Sequence, residues 1–82
     1  MDASVFVRQP NASEYTDLGE KAFPVLPRVD EFISVKHEGT QRFFQVIGVH
    51  HSLDEGTIEI YGVQTEPSWE VKRPRAIGFG NQ

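Results

Sequence analysis

"RFFQVIGVHHSLDEGTIEIYGVQ", residues 42–64, decides how this chain folds. Two runs rich in β-branched and aromatic residues, 42–51 and 57–64, flank the polar stretch "SLDEG". That pattern reads as two strands and a turn. In the later run Ile58 and Ile60 share parity and Glu59 points away. The earlier run breaks its own alternation. Phe44 and Val46 share parity, Val49 does not, and Gly48 lies between them. A glycine inside a strand often marks a bulge, and a slip near Ile47-Gly48 would set Phe44, Val46 and Val49 on one face. Gly62 predicts a similar bend that keeps Ile58, Ile60 and Val63 inside. Bends at matching depth in neighbouring strands predict a sharply curved sheet.

Upstream, "EFISVKH" at 31–37 alternates too, with Ile33 and Val35 on one side and Phe32 and Ser34 on the other. The turn "EGTQ", carrying Gly39, joins it to the run at 42, so residues 31–65 predict an antiparallel meander. Residues 3–9 predict a short strand with Val5 and Val7 opposite Phe6. Residues 10–29, rich in Pro, Gly, Asn, Ser and Asp, read as an irregular arm, with a helical turn at 13–18 capped by Ser13. Pro24 and Pro27 exclude regular helix and central strand from 23–28. Phe23, Val25 and Leu26 are expected to lie extended over one end of the core. After Pro67, "WEVK" at 69–72 reads as one more short strand, which Pro74 ends, and 74–82 as a loosely held tail.

Composition narrows the function. The chain has 82 residues, 38% of them hydrophobic, with six Phe, two Tyr and one Trp. One aromatic-rich core is expected, and a deep substrate cavity is not. There are no cysteines. Disulfides, thiolate metal sites and cysteine nucleophiles are therefore excluded, and a cytoplasmic location is expected. No apolar run has signal-peptide or membrane-span length. The net charge of −4 argues against duplex nucleic acid. Residues 67–82 are the exception, with Lys72, Arg73 and Arg75 against Glu70.

The adjacent histidines His50 and His51 point to opposite faces of a strand, and His37 belongs at the far end of the hairpin pair. With Asp54 and Glu55 they make a poor ligand set for an ion that needs three or four donors. Ser52, His51 and Asp54 are neighbours in sequence, but nothing supplies an oxyanion hole or a walled pocket. The expectation is no enzyme, no metal and no cofactor.

From Leu26 onward, "LPRVDEFISV", "RFFQVIGVHH" and "IEIYGVQT" in succession resemble small bacterial and phage proteins of unassigned role. Their pattern is a Pro-x-Val-acidic lead-in, a Tyr/Phe-x-Val-x-x-Val-x-His strand and a hydrophobic return strand. The resemblance spans about residues 26–65 and implies an SH3-like barrel. It departs at Asp30, where those proteins often carry glycine. It implies no activity, because such barrels host peptide readers, RNA binders and docking modules alike.

The combined expectation is one all-β domain over residues 1–82, a small SH3-like barrel or strongly curved meander of four or five short strands. Its expected role is a non-catalytic adaptor that docks a protein through a barrel face. Candidate interface residues are Trp69, Lys72, Arg73 and Arg75 along one edge, with Phe32, Phe43 and Tyr61, whose parity opposes the core set. Trp69 either lines that edge or closes the barrel. The alternative is single-stranded RNA or DNA binding through Trp69 and the basic strip. Self-association through open sheet edges is a further route to a partner.

Overall fold

A computed structural model describes residues 1–66. The strand expected at 69–72, the tail at 74–82, and Trp69, Lys72, Arg73 and Arg75 lie outside them. The described residues are all-β, a strongly curled five-stranded half-barrel. The strands are β1 Asp2–Arg8, β2 Thr16–Ala22, β3 Phe32–His37, β4 Thr40–Ser52 and β5 Thr57–Gln64. Their order across the sheet is β2-β1-β5-β4-β3. The described residues contain no helix long and apolar enough to cross a membrane.

The meander 3-4-5 forms as its alternation predicts. Its first turn is tighter than expected: His37 pairs with Thr40, so only Glu38 and Gly39 turn the chain, both with positive φ. That is the primed turn whose twist suits a hairpin. Leu53–Gly56 form the second turn, closed by the Gly56 N–H donating to the Ser52 carbonyl at 2.8 Å. In β4 the pairing slips between Val46, opposite Gly62, and Gly48, opposite Tyr61. Ile47 is the extra residue, so the bulge falls where the broken alternation places it.

Gly62 departs from the expectation. It sits in continuous register with Val46 on one side and Val7 on the other, and carries no bulge. Val63 consequently turns away from the core. The absent side chain at 62 makes room instead: a Cβ there would lie 3.1 Å from the Cβ of Phe44 and 3.7 Å from Val7 Cγ1. Phe44 fills that space and is 2% exposed.

The core is one face of the sheet, with Ala3, Val5 and Val7 of β1, Phe44 and Val46 of β4, and Ile60 of β5 all buried. Each large apolar side chain here removes water contact worth about 1.5–3 kcal/mol. Strand β5 is central and runs parallel to β1, with Val5 beside Ile60. The topology explains this. The β1–β2 pair is antiparallel, the chain then crosses to the far edge at β3, and the meander carries β5 back beside β1.

Strand β2 overturns the reading of residues 13–18 as a capped helical turn inside an irregular arm. "TDLGEKA" has little strand propensity of its own, so β1 supplies the template. Leu18 is the extra residue of a second bulge, opposite the step between Val5 and Phe6. There the Asp17 carboxylate accepts from the Gly19 N–H at 2.8 Å, with Gly19 at φ 86°. Asp17, Glu20 and Lys21 give this edge strand charges that discourage pairing with another chain.

Residues 23–31 cross one end of the core. Phe23 and Leu26 pack against it as expected, but Val25 is 80% exposed, because the two prolines turn it outward on an irregular path. Glu31 ties down the far end of this crossing. Its carboxylate accepts from the Arg28 backbone N–H at 2.9 Å and from the Arg28 guanidinium at 3.2 Å, which holds the carboxyl below its ordinary range. Asp30, where the resemblance noted a missing glycine, adopts φ 79°, a conformation glycine takes most easily. Its N–H donates to the Val46 carbonyl at 2.8 Å, which pins the crossing to the strand just before the bulge.

The two glycines of the bend have opposite consequences. Gly62→Ala forces Phe44 aside and is expected to destabilise the domain by about 1–2 kcal/mol. Gly48→Ala meets Tyr61 at an ordinary 3.8 Å and should be neutral or slightly stabilising. Urea unfolding of both variants checks this pair.

Candidate functional site

Alternation places a second set of side chains on the face away from the core. Strand β1 contributes Phe6 and Arg8, β5 contributes Glu59, Tyr61 and Val63, β4 contributes Phe43, Gln45 and, beyond the bulge, His50, and β3 contributes Phe32. Register lines them up in rows. Phe6 lies beside Tyr61, which lies beside Gly48, and Glu59 lies beside His50.

The Phe6 and Tyr61 rings stack at 5.4 Å with 20° between their planes. Tyr15, one residue before β2, meets Tyr61 edge-on at 5.3 Å and 76°. The loop that brings Tyr15 there is held by Arg8. Its Nη1 lies 3.1 Å from the carbonyl oxygens of Gln9, Pro10 and Ala12, and its guanidinium carbon sits 5.9 Å from the Tyr15 ring centroid. Such offset and edge contacts are favourable aromatic geometries. Gly48 leaves one flank of Tyr61 open.

At the end of this row two groups meet one carboxylate oxygen. Tyr61 OH donates to Glu59 Oε1 at 2.6 Å, and His50 Nδ1 lies 3.1 Å from the same atom. The phenol's hydrogen bond, then the imidazole's, hold the Glu59 carboxyl below its ordinary range. The same bond, with burial and the carboxylate's charge, raises the Tyr61 phenol. Glu59 is deprotonated and Tyr61 protonated across neutral pH, so the link is intact there. Its stabilisation fades as pH falls through the lowered carboxyl value, and again as pH rises through the raised phenol value.

Phe32, Phe43 and Tyr61 stand on the outer face as their parity predicts, and all three are half-buried. Phe6 and Tyr15 were missed as partners of Tyr61, and Arg8 as the partner of Tyr15. Phe6 was legible from its parity against Val5 and Val7, whereas Tyr15 comes into place only through β2 and the Arg8 hydrogen bonds.

The histidines separate as expected. His50 is on the outer face, and His51 is on the other, beside Val49 and the crossing residues Leu26–Val29, around a cavity of about 310 Å³. His37 sits at the opposite end of the hairpin next to Glu38, 3.8 Å from its carboxylate. Among the described residues no three His, Asp or Glu side chains group closely enough to hold a metal ion.

The inner face has an open side. Edge strands β2 and β3 lie across a gap of about 520 Å³ bordered by Lys21, Ala22 and Phe23 on one side and residues 33–36 on the other. Further along, a cavity of about 410 Å³ opens between Thr16 and Leu18 of β2 and the β3–β4 turn, over Val7 and Phe44. Glu14, His37, Glu38, Arg42 and Gln64 border it as well.

No protein-family model matches this chain, and neither a curated protein nor a solved structure is significantly similar to it.

The carboxylate link is testable by optical titration of the two tyrosines. One phenol should ionise above the ordinary value of about 10, and Glu59→Gln should move that phenol alone back toward it. Two ordinary phenols in the unmodified protein would contradict the link.

Proposed function

We propose that this domain is a non-catalytic docking module that binds a partner protein through the outer face of its sheet. One observation carries the reading. The outer face of a one-sided antiparallel sheet is ordinarily polar, whereas here Phe6, Tyr61 and Val63 occupy adjacent positions on it, with Phe32 and Phe43 further across and Tyr15 41% exposed. Aromatic side chains held rigid by one another lose little entropy on binding and are favoured as interface anchors. Arg8, Gln45, Glu59 and His50 supply the polar rim such interfaces have.

Trp69, Lys72, Arg73 and Arg75 belong to the same reading as an edge that would add cations for an acidic partner. The cysteine-free sequence supports a cytoplasmic setting, and the resemblance at residues 26–65 a bacterial or phage one. Single-stranded nucleic acid remains the competing ligand, and salt separates the two. Phosphate contacts weaken steeply as ionic strength rises, and an aromatic docking face does not depend on them.

Photo-cross-linking tests the proposal. A benzophenone side chain placed at Tyr15 or at His50, both on or beside the outer face, should capture a protein from host extract at low and moderate salt alike. The same group at Leu53, 90% exposed in the second turn, should not. Equal capture at Leu53, or adducts to nucleic acid that vanish with salt, would overturn it.

A further inference from the structure

Arg42 has the parity of Phe44 and Val46, so it points to the inner face, where the sheet's other inward residues are mostly apolar. It borders the cavity of about 410 Å³ between β2 and the β3–β4 turn. Among the described residues its buried Nε meets no hydrogen-bond acceptor and no carboxylate pairs with its guanidinium. A guanidinium stays charged at any physiological pH, and a buried donor without an acceptor is destabilising. The neighbouring charges do not relieve it. Arg8 is committed to backbone carbonyls and Tyr15, Glu38 leans toward His37, and Glu14 at the rim makes no ion pair with Arg42.

The geometry points to a ligand site here, one that takes a single carboxylate carried on an apolar body, with Arg42 as its anion partner. Two features select that chemistry. Val7, Ala12, Leu18 and Phe44 form an apolar floor within an otherwise polar rim, which gives a hydrocarbon or aromatic side chain a place to rest. One uncommitted cation, with Glu14 and Glu38 at the rim, matches one negative charge and disfavours a dianion such as phosphate. A guanidinium fork matches a carboxylate with two parallel hydrogen bonds. The volume lies within the range of small-ligand pockets and fits something the size of one or two residues. A peptide C-terminus and a free carboxylic acid share this chemistry. This site lies on the opposite face of the sheet from the docking face, shares Arg8 at its border with it, and does not depend on it.

The test is an NMR titration of the full chain that follows the Arg42 Nε–H signal and the methyl groups of Val7 and Leu18. The probes are N-acetyl-Leu-Phe, its C-terminal amide, octanoate, octanamide and inorganic phosphate. The acids should shift these signals, and the matched amides should bind at least about tenfold more weakly, as the loss of a charge-assisted hydrogen bond implies. Phosphate should leave the signals in place. Binding by the acetylated dipeptide alone identifies a peptide terminus, and binding by octanoate alone a free acid. Arg42→Met should keep the fold, with a melting temperature no lower than the parent's, and lose the acids' shifts. Arg42→Lys, which keeps the charge without the fork, should retain weakened binding. Equal binding of acid and amide, no response to either acid, or full binding by Arg42→Met would overturn the assignment.

Discussion

One extra residue in β4 governs this molecule. A strand of thirteen residues with uniform alternation would send Phe44 and Val46 to one face and Val49 to the other. Ile47 absorbs the mismatch, and beyond it Val49 and His51 rejoin the core face while Gly48 and His50 face outward. Everything on the outer face at that end follows from the slip. Without it His50 would not reach Glu59, and a side chain larger than hydrogen would stand beside Tyr61. A bulge also bends its strand and increases local twist, which is how a short five-stranded sheet curls enough to bury Val5, Val46 and Ile60 completely.

The bulge was legible because Gly48 interrupts an alternation that is clear on both sides of it. The same reasoning misplaced Gly62, and the reason is physical. A glycine in a strand answers either to backbone conformation or to crowding from a neighbour, and the sequence of its own strand does not distinguish them. At 62 the crowding comes from Phe44 on β4 and Val7 on β1, residues distant along the chain. Strand β2 was illegible for a related reason: its pairing is imposed by β1, while its own residues carry the composition of a loop. The parallel contact of β1 with β5 leaves no trace in either strand alone, since it depends on where the crossing at 23–31 delivers the chain. Of the outer face, the parity of Phe32, Phe43 and Tyr61 could be read directly. The Tyr15 contact and the lack of a partner for Arg42 among the described residues of the inner face could not, because each depends on which element lies across from it.

The two faces divide their chemistry unevenly. Outside, aromatic rings hold one another, the Tyr61 hydroxyl is tied to Glu59 and Arg8 lies over the Tyr15 ring, which makes a firm surface with few loose rotamers. Inside, apolar packing is complete at the centre of the sheet and gives way to Arg42, Gln64 and His37 toward one open end. A half-barrel whose edge strands do not pair with each other keeps that end accessible, and an arginine facing inward there gives it a preferred sign of ligand. A sheet as small as this one has little stability to spare. An arginine on its inner face with no partner among the described residues is thus a cost that packing of the sheet does not offset.

Deleting Ile47 tests the central claim most directly. The account predicts that without Ile47 the ladder closes up with Val49 still beside Ile60 and His50 still beside Glu59, so only the bend is lost, and that urea unfolding shows the flattened sheet to be less stable by about 1–3 kcal/mol. A chain lacking Ile47 that unfolds at the parent's midpoint with the parent's slope would contradict it.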